Sequence, residues 1–137
     1  MKDLIERLRT AGVHTLLARF TDIHGVAKGK FVPLRHFDEL LTDGVGFAGP
    51  SIAGTGLPRI GPRAEYYARG NASTVAALPW RPGVARVVCD GFVNGQPFDA
   101  CPRQVLKRVL RRAEKLGVVP MCGMEFEWFN FAETPQS

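Results

Sequence analysis

Residues 44 to 70 read GVGFAGPSIAGTGLPRIGPRAEYYARG, and no other stretch limits the available folds as much. Its glycines and prolines leave no helical or strand period, so the chain must build its regular structure on either side. A structureless segment this long in a small protein is either functional or disordered. Phe47, Ile52, Leu57, Ile60, Tyr66 and Tyr67 argue for an ordered loop that reaches a site or a neighbouring surface.

The flanking segments are periodic. Residues 2 to 9 space Leu4, Ile5 and Leu8 as a short amphipathic helix with Gly12 as its stop signal. VHTLLARFTD and VAKGKFVPL are strand-like runs joined around Gly25, which predicts a hairpin, and RHFDELLT (35–42) predicts a helix. After the loop, VARVVCD (84–90) and GQPF (95–98) read as strands with a turn at Asn94-Gly95. Pro102 opens a helix to Leu116, where Val105, Leu106, Val109, Leu110, Ala113 and Leu116 form one apolar stripe, and Gly117 closes it. VVPMCGMEFEWFNF predicts a final strand. The order gives a mixed α+β fold with a small sheet.

With 137 residues, 45% hydrophobic and 23% charged, the chain suits one soluble domain and the beginning of another. No apolar run approaches the roughly 20 residues needed to span a bilayer, and the N-terminus MKDLIERLRTAG lacks a signal peptide's apolar block. A cytoplasmic location without membrane attachment is the expectation. Cys89, Cys101 and Cys122 fall in no C-x-x-C pair, so they read as reduced packing thiols. The net charge of +5 is compatible with an anionic partner but says nothing about fold.

The feature richest in chemistry is GMEFEWFNF (123–131). On a strand Glu125 and Glu127 share a face, roughly 6 to 7 Å apart, and that face continues with Phe129 and Phe131. Two like charges on an apolar face need compensation, and a hard cation such as Mg²⁺ held by carboxylate oxygens would supply it. The alternative is an edge strand carrying two solvated acids. Other motifs carry less. GTG (54–56) lacks the third glycine and following helix of a dinucleotide fingerprint. Arg103, Lys107, Arg108, Arg111, Arg112 and Lys115 line the helix opposite its apolar stripe, read as a solvated face in preference to a nucleic-acid footprint. His14, His24 and His36 have neither metal spacing nor an acid partner in the sequence.

Taken in order, FTDIHGVAKGKFVPL, FAGPSIAG, LPWRPGVARVVCD, CPRQVLKRVL and GMEFEWFNF resemble the N-terminal part of glutamine synthetases, closest to the type III-like branch that includes γ-glutamylamide synthetases. The resemblance implies a β-grasp-like N-terminal domain over residues 1–100, then the first helix and strand of a catalytic domain over 101–137. It further implies that Glu125 and Glu127 are ligands of two divalent metals, Mg²⁺ or Mn²⁺, that hold ATP and glutamate. ATP would phosphorylate the glutamate side chain, and ammonia or a small amine would attack the γ-glutamyl phosphate. Loop 44–63 would then complete a neighbouring subunit's active site in a ring-shaped homo-oligomer.

Two departures shape the expectations. Most of the family's catalytic domain is missing, so the chain reads as a fragment and the 137 residues alone are expected to be inactive. The family's loop motif F-D-G-S-S-I is here Phe47-Ala48-Gly49-Pro50-Ser51-Ile52, which puts Ala48 at the position of the ammonium-binding Asp. Glu65 in the same loop is a candidate substitute acid, and the expected acceptors are ammonia first, then methylamine or a larger amine. The competing reading is a stand-alone β-grasp module that binds a partner or regulates without catalysis. Nucleic-acid binding through the 102–116 helix is a third and weaker one.

Overall fold

The computed structural model describes residues 2–130. Helix α1 (Lys2–Thr10) leads into strands β1 (Thr15–Thr21) and β2 (Ala27–Pro33), followed by helix α2 (Phe37–Thr42). Strands β3 (Val45–Ala48), β4 (Glu65–Gly70) and β5 (Ala76–Ala77) come next, then the long β6 (Val84–Val93), β7 (Gln96–Pro97) and helix α3 (Pro102–Lys115). The sheet runs β2-β1-β6-β4-β3, with β5 and β7 also paired to β6. It is a mixed α+β fold.

Alternation drives β1. Leu16, Ala18 and Phe20 point inward and are buried, while their neighbours point out. β1 pairs antiparallel with β2 and parallel with β6, and the hydrophobic VARVV half of β6 suits a strand covered on both faces. Beyond Val88 the second half of β6 takes β4 and β7 as partners, so one strand organises both parts of the sheet. Phe37 and Leu40 of α2 are buried against this core. The sheet curls until its edges approach, and Lys30 Nζ of β2 donates a 2.5 Å hydrogen bond to the Gly46 carbonyl of β3.

Gly91 permits the closest packing in the molecule. A Cβ there would lie 2.1 Å from the Tyr66 hydroxyl oxygen and 2.4 Å from its ring Cζ. Tyr66 is fully buried between Phe20 and Phe98, with ring centroids 4.8 and 6.0 Å away. Its hydroxyl donates to Cys101 Sγ at 3.4 Å, and the Gly91 N–H donates to the same sulfur at 3.3 Å. Burial, then that hydrogen bond, raises the Tyr66 phenol far above its ordinary value.

Asp22 holds the β1–β2 turn. Its Oδ1 accepts from the backbone N–H groups of His24 and Val26, both at 3.0 Å, and Lys28 Nζ lies 3.5 Å from Oδ2. Burial raises its pKa, but the Val26 and His24 bonds and the Lys28 charge outweigh it and hold the carboxyl below 3.8. A depressed folded value contributes stability above the unfolded value and loses it as pH falls through the folded one. Unfolding measured from pH 7 to 2 should therefore show Asp22→Ala less stable at neutral pH, with a shallower acid loss than the wild type below about pH 4. Parallel stability–pH curves would contradict this role.

Three expectations need correction. The stretch 44–70 is not structureless: β3 and β4 lie inside it, paired from Val45↔Ala68 to Ala48↔Glu65. β3 pairs with β4, and β4 in turn with β6, a distant partner that local propensity does not reveal. The predicted final strand does not form: residues 118–130 are neither helix nor strand and are exposed, while Phe131 lies outside the described residues. A strand needs a neighbour to take its backbone hydrogen bonds, and no described strand pairs with this segment. The apolar stripe of α3 is also not its buried face, since Leu106 and Val109 are each 56% exposed.

Candidate active-site loop and carboxylate segment

α3 is turned by an ionic anchor. Asp90 on β6 is 8% exposed and takes Arg103 Nε at 2.9 Å, together with a short contact from Lys107 Nζ. A carboxylate this buried is retained where cations meet it, and here both come from one helix face. Arg108 adds bonds to the Asp99 carbonyl at 2.7 Å and carboxylate at 3.2 Å. Arg103 and Lys107, two of the six basic residues that sequence reading assigned to solvent, thus tie the helix to the sheet, Arg108 ties it to the preceding turn, and the apolar stripe turns outward. A strand acid followed by i and i+4 basic residues was legible in the sequence, but the pairing across Asp90 was not.

The thiols divide. Cys89 and Cys101 are buried as expected, and burial pushes the Cys89 thiol up to about 12, which keeps it protonated and inert. Cys122 is exposed, contrary to the packing role expected of it, because the segment that carries it has nothing to pack against.

Loop 49–64 is ordered, as its apolar content predicted. Ile52 and Leu57 are buried, and Thr55 Oγ1 donates to the Gly49 carbonyl at 2.7 Å, closing the loop. At Gly49 a Cβ would meet Leu57 Cδ1 at 2.5 Å and the Ala64 carbonyl at 2.8 Å, so only glycine fits. Ala48 immediately precedes this turn, exposed, at the end of β3. Phe47 faces inward against Phe20, with centroids 5.0 Å apart, so Ala48 and Gly46 face outward. The cross-strand register then sets Glu65 beside Ala48 and Tyr67 beside Gly46 on one face. Glu65, through a side-chain hydrogen bond and its charge, raises the Tyr67 phenol. The EYY run carries an alternating pattern, yet its pairing to β3 was not readable without the fold.

Glu125 and Glu127 are exposed on the unpaired segment 118–130. Among the described residues no group of three or more His, Cys, Asp or Glu side chains could hold a metal ion. Glu125 and Glu127 thus belong to no such group among the described residues. His36 has an acid partner after all, in a short contact between its Nδ1 and Glu39 on the exposed start of α2, while His14 Nδ1 meets Thr15 Oγ1 at 2.9 Å. No helix among the described residues is long and apolar enough to cross a membrane.

Comparison with known proteins locates this arrangement. No known family's profile matches the chain. It is 44% identical to a glutamate–methylamine ligase from Methyloversatilis universalis over 122 residues, 88% of this chain and 27% of that protein. It is 38% identical to a glutamine synthetase from Thermococcus kodakarensis over 117 residues, 85% of this chain and 25% of the relative. The solved structure of a GmaS–ADP complex superposes with a TM-score of 0.74 at 34% identity, covering 85% of this chain and 26% of that one. The chain thus spans about a quarter of the length of the relatives it matches.

Proposed function

Because this chain is related over most of its length to the N-terminal portion of the glutamine synthetase superfamily, we propose that it is part of an ATP-dependent glutamate–amine ligase that takes methylamine or ammonia. The carrying observation is the 44% identity to a glutamate–methylamine ligase across 88% of the chain. In this reading the γ-phosphoryl group of ATP passes to the side-chain carboxylate of glutamate, leaving ADP. The amine nitrogen then attacks that acyl carbon, phosphate departs, and the nitrogen loses a proton to give the amide.

Residues 1–100 form the β-grasp domain in this reading, and 101–137 begin the catalytic domain. The parallel β1–β6 pair at the sheet centre, with α2 packed chiefly against the adjoining β4, supports the first assignment. The outward-facing apolar stripe of α3 and the exposed Met124, Phe126 and Trp128 support the second, because such surface in a soluble protein is normally covered. Glu125 and Glu127 are then two ligands of the Mg²⁺ or Mn²⁺ pair, completed by groups beyond this chain. When bound, the metals supply positive charge for the phosphates. Loop 44–63 reaches the active site of a neighbouring subunit in a ring-shaped homo-oligomer, and the enzyme is cytoplasmic. Nucleic acid has no place in it, since half the basic residues of α3 are held by Asp90 and Asp99.

The longer ligase tests this reading through its acceptor preference. Ala48 offers a methyl group and room where an Asp would offer charge, which favours an alkylamine over ammonia. Ala48→Asp should shift the ratio of kcat/KM for methylamine to that for ammonium about tenfold toward ammonium, the scale of one added charge contact. Unchanged relative efficiencies for ammonium, methylamine, ethylamine and a polyamine would remove position 48 from the choice of nucleophile.

A further inference from the structure

The tip of the β1–β2 hairpin meets the loop that follows β3. Gly54 has a φ of +77°, and a Cβ there would lie 2.5 Å from Ile23 Cγ2, 3.1 Å from its Cβ and 3.4 Å from its Cδ1. Ile23 thus rests against the α-carbon of Gly54, and both the backbone angle and the neighbour call for glycine. Each side of the contact is held. On the hairpin side, buried Asp22 accepts from the His24 and Val26 N–H groups, and its own N–H donates to the Val26 carbonyl at 3.1 Å, so Ile23 projects from a fixed turn. On the loop side, the Gly49 N–H donates to the Ala64 carbonyl at 2.8 Å, and the Thr55 hydroxyl donates to the Ile52 carbonyl at 3.0 Å. Ile52 and Leu57 are buried on either side of Gly54. The stretch 49–57 is therefore a closed unit, and the hairpin touches it on its main chain.

We propose that the hairpin tip is a brace for this loop: Ile23, held by the Asp22 turn, is a positioning residue that sets where residues 49–57 stand for catalysis. The inference rests on the ligase reading above, in which the loop reaches an active site. At Gly54 the loop has no side chain that could swing aside, so a change at Ile23 passes directly to the backbone between Ile52 and Leu57. A misplacement of about 1 Å far from the reacting atoms can cost on the order of 100-fold in rate. Ile23 is 63% exposed, so little burial is lost when it is shortened. Its effect should therefore fall on turnover and not on folding.

The experiment is steady-state kinetics of the full-length ligase, with thermal unfolding alongside, for the wild type, Ile23→Ala, Ile23→Val, Gly54→Ala, the Ile23→Ala/Gly54→Ala double variant and Val26→Ala. Ile23→Ala should lower kcat about tenfold with KM for ATP within about twofold and the unfolding midpoint nearly unchanged, as for a misplaced loop. Ile23→Val keeps Cβ and Cγ2, the two atoms nearest Gly54, and should keep kcat within about twofold. Val26→Ala shortens a second exposed apolar residue of the same turn and should do the same. Gly54→Ala brings backbone strain with or without Ile23, so that cost cancels in the cycle. The double variant should then exceed the product of the two single losses in kcat by at least about threefold. Losses that simply multiply, an Ile23→Ala kcat within twofold of the wild type, an equal loss in Val26→Ala, or a collapse of the unfolding midpoint in Ile23→Ala would each overturn the brace while leaving the ligase reading intact. A wild type without amine-dependent turnover overturns the ligase reading and, with it, this assignment.

Discussion

In the full-length ligase, Glu125→Gln or Glu127→Gln should lower metal-dependent turnover by at least about 100-fold while the fold is retained, since groups that merely orient metal ligands already cost 10- to 100-fold. The exchange is isosteric and replaces a charged oxygen donor by a neutral amide. Both side chains are exposed in this chain, so the isosteric exchange leaves its buried core unchanged. Added Mn²⁺ or Mg²⁺ at high concentration should restore part of the activity by mass action. Steady-state rates across a metal titration, with thermal unfolding as the control, provide the check. Near-normal rates in both variants would remove these carboxylates from metal binding, and a collapse of the unfolding midpoint would mean they serve structure.

The second large effect is on stability. Gly91→Ala should cost about 3 kcal/mol, the upper part of the usual range for overpacking a core, because the new methyl group would sit 2.1 Å from the Tyr66 hydroxyl. Tyr66 has little room to yield. Its ring is held by Phe20 and Phe98, and its hydroxyl is tied to Cys101 Sγ. Tyr66→Phe removes the hydroxyl oxygen but leaves ring Cζ and Cε2 at 2.4 and 2.5 Å, so the double variant should recover only a small part of the loss, and a denaturant double-mutant cycle measures that coupling. Equal stability of wild type and Gly91→Ala would show that β6 and Tyr66 separate more easily than this packing allows.

The hairpin, both flanking helices and the central strand were legible because each carries its own pattern: Leu16, Ala18 and Phe20 alternate, and Val84 to Val88 are apolar at every position but Arg86. β3 and β4 were not, since VGFA and EYYARG become strands by pairing with each other and with Phe92 to Cys89 of β6. Such long-range pairing leaves almost no local trace. The apolar stripe of α3 was visible, but its direction was not, because the choice depends on Asp90 drawing Arg103 and Lys107 inward. The strand expected at 118–131 has the correct alternation for a sheet, yet no described strand lies beside it, so pattern alone cannot make it regular. For the site, the motif around Ala48 and the pair Glu125 and Glu127 were readable as residues. The company Glu65 and Tyr67 keep with Ala48 required the register.

The most direct test of the central claim is product analysis with the full-length protein supplied with glutamate, ATP, Mg²⁺ and methylamine or ammonium. The account predicts one ADP and one phosphate released for each γ-glutamylmethylamide or glutamine formed, identified by mass, with release dependent on both glutamate and amine. Phosphate release that ignores the amine, or no amide product in the presence of all four components, would contradict it.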